Sequence, residues 1–455
     1  MNEQPPFEQP PEQRQFQLPI PRPAQPSAPD NLQSPGNPKE NRRRARQWYR
    51  PRTRKARLGV VCGAIIVALL LSLGVTETLK SGNNWFFRSS STPSGPISIA
   101  PQPSSGSNRT HGPSGTTFTP SATGFPYVRG NQIIDGSGHP LILHGAMIQT
   151  AFAYIAPWQQ GQNPLKILNS TTFNAMRSWN MNAIRINISY WIYRLDPALY
   201  MSRLDTAVSQ ANQAGLYVVL DFHDDLQSGS PYGDAVMHPE SITFWSIIAK
   251  EYLTNSMVMF DLVNEPHYAD WQTWLNGNGG NIVGHQAVVR AIRSLGARQI
   301  IIAESLEDGA SGFSTIGSNL ISDPNIVYSI HIYLSDLFNG SERTPTGWSA
   351  KFGNLSATHP VYIGEWAFLP NANYPTFCAN ITPAQATQVV QNFLAYMQQH
   401  SISWTAWSFT ASHLIQNYAT YAPTTLNAPW CCGQGPVCSA GMGEILKTYL
   451  VTHSF

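Results

Sequence analysis

From Leu141 onward the chain alternates short apolar runs with amphipathic ones, and few folds tolerate that alternation. The runs Leu141–Ile148, Ala183–Tyr190, Tyr217–His223, Val258–Glu265, Gln299–Glu304, Ile326–Tyr333, Val361–Trp366 and Ser403–Phe409 read as strands. Between most of them, Thr171–Trp179, Leu204–Ala214, Glu240–Leu253, Asn281–Leu295 and Pro383–His400 carry apolar residues at three- and four-residue spacings, the mark of a helix with one buried face. Strands alternating with helices predict parallel βαβ units. Eight of them predict an α/β fold of the (β/α)8 TIM barrel type over residues 125–455. A doubly wound open sheet would want a glycine-rich phosphate turn after its first strand, where this chain has Leu143-His144-Gly145-Ala146-Met147.

Polar groups collect where these runs stop, which is where a barrel of this kind carries its chemistry. Two glutamates lead: Glu265 in Phe260-Asp261-Leu262-Val263-Asn264-Glu265-Pro266, and Glu365 in Val361-Tyr362-Ile363-Gly364-Glu365-Trp366. An apolar strand that ends in a carboxylate builds a poor core, but a pair of them can supply an acid and a nucleophile. Pro266 disfavours helix at Glu265, so an extended backbone is expected there. The same rim gathers Arg185, His223, Asn264, His331, Tyr333 and Trp407, with Glu304 as a further strand-end carboxylate. Asp224 and Asp225 beside His223 lack the wider ligand cluster of a metal site, and neither metal nor cofactor is expected. Trp271, Trp274, Tyr190, Trp191 and Tyr193 fit the lining of a cleft on that face or ordinary helix packing equally well.

The N-terminal third is of another kind. Residues 1–57 hold 12 basic and 5 acidic side chains, whereas residues 125–455 hold 13 and 20, so the basic charge belongs to the tail. An acidic body excludes nucleic acid as its partner. Residues 1–38 are rich in Pro and Gln and nearly free of aliphatic residues, a composition that predicts disorder. A basic run to Arg57 follows, then the uncharged stretch Leu58–Thr76. As a helix this stretch would be about 28 Å long, near the thickness of a bilayer's hydrocarbon core. Residues 58–79 are therefore expected to form a retained membrane helix with the N-terminus cytoplasmic and residues 125–455 outside. A secreted form would require cleavage, for which no A-x-A-like site follows Thr76. Residues 80–124, mostly Ser, Pro, Gly, Thr and Asn, read as a flexible linker. Cys378, Cys431, Cys432 and Cys438 would then lie in an oxidising compartment and are expected to form disulfides, the adjacent pair not bonding to each other.

As an ordered set, Arg185 from A-I-R-I-N, His223 from L-D-F-H-D, Asn264 and Glu265 from L-V-N-E-P, His331 and Tyr333 from S-I-H-I-Y, Glu365 from Y-I-G-E-W and Trp407 from W-T-A-W-S-F resemble glycoside hydrolase family 5, the cellulase-like glycosidases. The resemblance covers residues 125–455. It implies that Glu265 is the general acid/base and Glu365 the nucleophile. It implies further that Arg185 grips Glu365 in a forked hydrogen bond, that Tyr333 donates to the same carboxylate, and that Asn264 meets the sugar 2-hydroxyl. His223 and His331 would bind hydroxyls or tune the acid/base, and Trp407 would be a stacking floor. The activity so implied is retaining hydrolysis of a β-glycan polysaccharide by a monomeric domain, foremost a β-1,4-glucan cut internally. Mannan, xyloglucan and β-1,3-glucan are the alternatives within the family, and a non-catalytic glycan-binding protein is the alternative outside it.

Overall fold

The computed structural model describes residues 124–334, 343–370, 381–427, 430 and 439–453. The expected tail 1–57, the expected membrane helix 58–79, nearly all of the expected linker 80–124, and Cys378, Cys431, Cys432 and Cys438 lie outside the described residues. Among the described residues no helix is long and apolar enough to cross a membrane.

Eight parallel strands close into a barrel. They are β1 (His144–Ile148), β2 (Ala183–Ile188), β3 (Tyr217–Phe222), β4 (Val258–Asp261), β5 (Ile301–Glu304), β6 (Ile326–Tyr333), β7 (Val361–Ala367) and β8 (Ser403–Ala406). Each pairs with its neighbour in sequence, and β8 pairs back onto β1. A two-stranded hairpin, Tyr127–Arg129 with Gln132–Ile134, precedes the barrel.

The expected helices form as Ser170–Ser178, Pro197–Gln213, Pro239–Glu251, His285–Ser294 and Pro383–Gln399. Local chemistry sets their starts. Asn169, Asp196 and Thr382 each accept a hydrogen bond from a first-turn backbone N–H, which satisfies a donor the helix itself cannot. Six of the eight expected strands are shorter than read, and two of the differences matter most for the site. Tyr190 opens the short helix Tyr190–Tyr193 and does not end β2, because Ser189 caps the chain there. Strand β4 ends at Asp261, so Glu265 stands beyond it. Helices Pro345–Phe352 and Gly443–Thr452 were not anticipated.

Side chains alternate between the two faces of each strand. The outer faces of the barrel strands join the helices in one large apolar core, with Ile184, Ile186, Val218, Leu220, Phe260 and Ile330 among its members. A smaller apolar cluster includes Ala183, Val219, Met259, Ile302 and Val327, the alternate residues of five strands. These fill the lower barrel interior. The next inward positions up the same strands are Arg185, Asp221, Asp261, Glu304 and Ser329, all buried. The interior thus changes from apolar to ionic within one layer.

At Gly145 on β1, a methyl group would sit 2.0 Å from the carbonyl oxygen of Ala183 on β2. Gly145→Ala must push these paired strands apart. It should cost roughly 3 kcal/mol, the upper range for overpacking, read as a lowered midpoint in urea unfolding; an unchanged midpoint would refute the closeness of that contact.

Candidate active site

Arg185 is the centre of the upper interior. It is fully buried, and each of its nitrogens is engaged. Nε donates to Asp261 Oδ2 at 3.0 Å, Nη1 to Glu365 Oε1 at 2.7 Å, and Nη2 to Glu304 Oε1 at 2.7 Å and Asn264 Oδ1 at 3.0 Å. Nη2 also lies 2.8 Å from Asp221 Oδ1. The forked grip on Glu365 is therefore corrected: the guanidinium gives that carboxylate one N–H and distributes the rest, because four carboxylates face it from four strands. Asp221, Asp261 and Glu304 converge closely enough to hold a cation, and the Arg185 guanidinium, paired to each, supplies that positive charge.

Strands β6 and β7 bring the rim together by an irregularity. Ile330 pairs with Ile363, but His331 pairs with Glu365, so Gly364 is an extra residue on β7. The β7–β8 register shifts across the same residue, from Trp404 opposite Ile363 to Ala406 opposite Trp366. A bulge of this kind re-aims the side chains that follow it. Here it sets Glu365 level with His331. A methyl group on Gly364 would lie 2.8 Å from Ser329 Oγ and 3.0 Å from His331 Nε2; only glycine leaves room for that packing.

Glu365 is buried and accepts from the Tyr333 hydroxyl at 2.6 Å through Oε2. Burial pushes its carboxyl above the ordinary glutamate value and the nearby Glu265 adds to this, while His331, Arg185 and the Tyr333 hydroxyl pull the other way. Glu265 is half-buried, and its Oε1 lies 3.0 Å from His331 Nδ1. One carboxylate oxygen of Glu265 and one of Glu365 lie within 4.8 Å of each other. The extended backbone expected at Glu265 is also corrected. Its φ is +48°, a left-handed conformation that costs a non-glycine residue about 1–3 kcal/mol. Tertiary hydrogen bonds override the bias from Pro266: Asn264 N–H donates to the Phe222 carbonyl at 2.9 Å and Glu265 N–H to Glu304 Oε2 at 2.8 Å.

The two histidines are both buried. Burial lowers the tendency of His223 to hold a proton, but Asp221 Oδ2, 2.7 Å from Nδ1, more than offsets it and pushes the ring up to about 9. Burial likewise works against a charged His331, and Glu304, Glu365 and Glu265 together raise it well above the ordinary histidine value. Trp407 is half-buried just past β8, beside the end of β7, where its backbone N–H donates to the Trp366 carbonyl at 2.9 Å. The peptide bond that follows it is cis.

The structure thus joins Arg185, Asn264, Glu265, His331, Tyr333 and Glu365 in one hydrogen-bonded network, with His223 tied to it through Asp221. Asp224 and Asp225 are directed elsewhere. Asp224 Oδ1 accepts from the Trp191 indole at 2.5 Å, and Asp225 caps the turn Leu226–Ser228. Trp274 is fully buried and donates to the Glu304 carbonyl, so it packs beneath the site. Sequence reading missed Asp221 and Asp261. A carboxylate inside an apolar strand was the available signal, and in a run such as Tyr217–Phe222 it had no visible partner. It also missed Tyr154, half-buried beyond β1, whose hydroxyl burial pushes far up, with Asp225, Glu365, Asp221 and Glu265 adding to the effect.

The sequence profile of the family described as Cellulase (glycosyl hydrolase family 5) matches residues 138–413, more than half of the chain. An endo-beta-1,4-glucanase B of Aspergillus niger is 31% identical over 182 residues, 37% of this chain and 52% of that enzyme. An endo-beta-1,4-glucanase A of Emericella nidulans is 29% identical over 261 residues, 51% of this chain and 71% of that enzyme. The chain spans about half the length of several curated relatives it matches (43%, 45% and 52%). The crystal structure of a beta-glucanase from Saccharophagus degradans in complex with cellotetraose shares the fold. Its TM-score is 0.55 at 20% identity, over 75% of this chain and 97% of that one.

Any reaction that needs Glu365 ionised loses rate as pH falls through that group's raised pKa. The acid limb of kcat/KM should therefore lie above the roughly 4.3 of an unperturbed glutamate. A pH profile of kcat/KM checks this; an acid limb at or below that value would refute the burial argument.

Proposed function

The chain belongs to the cellulase family, glycosyl hydrolase family 5, and on that footing we propose that it is a retaining endo-β-1,4-glucanase working by double displacement with Glu265 and Glu365. The observation that carries the stereochemistry is the approach of the two carboxylates, whose nearest oxygens lie within 4.8 Å. Retaining glycosidases hold their carboxyl groups about 5–5.5 Å apart, and inverting ones about 6.5–9.5 Å to admit a water.

Glu265 gives its proton to the glycosidic oxygen while Glu365 attacks the anomeric carbon from the opposite face. The C–O bond breaks with its electron pair going to the leaving oxygen, and an ester joins the sugar to Glu365. Glu265, now a carboxylate, takes a proton from water, whose oxygen attacks the same carbon and expels Glu365. Arg185 and Tyr333 donate to Glu365 and stabilise the charge that returns when it leaves. Asn264, its carbonyl oxygen held by Arg185, offers its NH2 to the sugar 2-hydroxyl, a contact that strengthens in the transition state. His223, charged and anchored by Asp221, donates to sugar hydroxyls. Trp407 offers a flat apolar face to the ring at the cleavage point.

The names of the relatives support a β-1,4-glucan as substrate, as does the cellotetraose bound by the fold's neighbour. The domain works as a monomer. It is held outside the cell by the membrane helix 58–79, with the basic tail inside and the linker 80–124 giving reach; the support is the basic run directly before an uncharged stretch. Cleavage of the anchor would give a secreted form.

On carboxymethylcellulose, glucomannan, xyloglucan and laminarin, the cellulose derivative should be cut fastest. Glu265→Gln and Glu365→Gln should each lower that rate by at least about 100-fold. Cleavage of none of the four by folded wild type would defeat the reading. Protease treatment of intact cells should remove the catalytic domain and spare the tail; the reverse pattern would overturn the topology.

A further inference from the structure

Glu304, at the end of β5, is fully buried, yet three groups of the site converge on it. Its Oε1 accepts from Arg185 Nη2 at 2.7 Å and lies 3.0 Å from His331 Nε2, and its Oε2 accepts the backbone N–H of Glu265 at 2.8 Å. The charged groups facing it are Arg185 from β2, Asp221 from β3, Asp261 from β4, Glu265 beyond β4, His331 from β6 and Glu365 from β7. Two glycines close the pair in. A methyl group on Gly364 would lie 3.0 Å from His331 Nε2 and 3.4 Å from Glu304 Oε1. One on Gly309, at φ +70°, would lie 3.2 Å from the His331 ring and 3.3 Å from Glu304 Oε2.

We propose that Glu304 is a positioning residue for the acid/base step, fixing Glu265 through its backbone N–H and through the His331 ring that lies between them. The proposal rests on the double-displacement reading above. The backbone bond is one of those that hold Glu265 in its left-handed conformation, and so it aims the carboxyl. The second link is a chain of donors. A carboxylate accepts only, so His331 Nε2 carries a hydrogen toward Glu304. Burial alone would raise the Glu304 carboxyl, but His331, Arg185 and the Glu265 N–H bring it down to about 2, and it keeps its charge. That charge retains the second ring proton, on Nδ1, which donates to Glu265 Oε1. The acidic proton of Glu265 therefore sits on Oε2, the oxygen left to face the leaving group. When it departs, the new carboxylate already faces an imidazolium at 3.0 Å.

A glutamine at 304 cannot reproduce this. Three donors point at the side chain, and an amide has one acceptor oxygen and an NH2 group. The test compares wild type and Glu304→Gln in kcat/KM on a cello-oligosaccharide, whose sugar leaving group needs the acid, and on 2,4-dinitrophenyl β-cellobioside, whose leaving group does not. The expected result is a loss of roughly 100-fold on the first and within about threefold of wild type on the second. Equal loss on both substrates, or none on either, would show a structural role or no role and overturn the proposal. Should Glu304→Gln fail to fold, nitrogen NMR of His331 in wild type decides: a doubly protonated ring at pH 8 supports the proposal, and a neutral one overturns it. Wild type inert on both substrates would overturn the glycosidase reading and this inference together, whereas active wild type with unaffected Glu304→Gln overturns this inference alone.

Discussion

A single buried guanidinium organises this barrel. Arg185 is surrounded by Asp221, Asp261, Glu304 and Glu365, and taking so many charges out of water is expensive unless each is paired and hydrogen-bonded. The interior answers in two ways. His223 and His331 are held protonated by their carboxylate neighbours and add positive charge. Asp261 goes the other way: burial, with Glu304 and Asp221 close by, pushes its carboxyl far up toward the neutral form despite Arg185. The cluster approaches balance because its members adjust to one another's charge.

The same cluster holds the two strand-end glutamates in place. Glu365 is held by one N–H of Arg185 and by the Tyr333 hydroxyl, and Glu265 by its backbone and by His331. Glu365 stands on β7, and Glu265, on the turn just past β4, is tied down by β5 and β6. The left-handed backbone at Glu265 and the bulge at Gly364 are local departures from regular structure, and both are sustained by contacts made across the barrel. Strain at such points persists only where the surroundings over-determine it, and here the surroundings are four neighbouring strands.

The architecture was legible because its signals are local and repeated. Apolar runs alternating with amphipathic helices gave eight strands in the right places, with β6 matching end to end. The rim residues were legible for a related reason: a polar side chain at the end of an apolar run stands out. Asp221 and Asp261 did not stand out, since a carboxylate within a strand has a meaning only when its partner is known, and Arg185 lies 36 and 76 residues away in sequence. Glu304 was visible as a strand-end carboxylate, but nothing near it in sequence connects it to His331 or to the backbone of Glu265.

By itself, then, the sequence determined the barrel, the set of groups on its rim and the two glutamates that stand apart from the rest, because periodicity and strand ends are properties of short segments. Only the tertiary structure decided how those groups divide the work. The register shift at Gly364 that levels Glu365 with His331, the sharing of one guanidinium among four carboxylates, and the left-handed turn at Glu265 all arise from hydrogen bonds between strands distant in sequence. Closing the barrel fixes those distances, and no stretch of chain carries them alone.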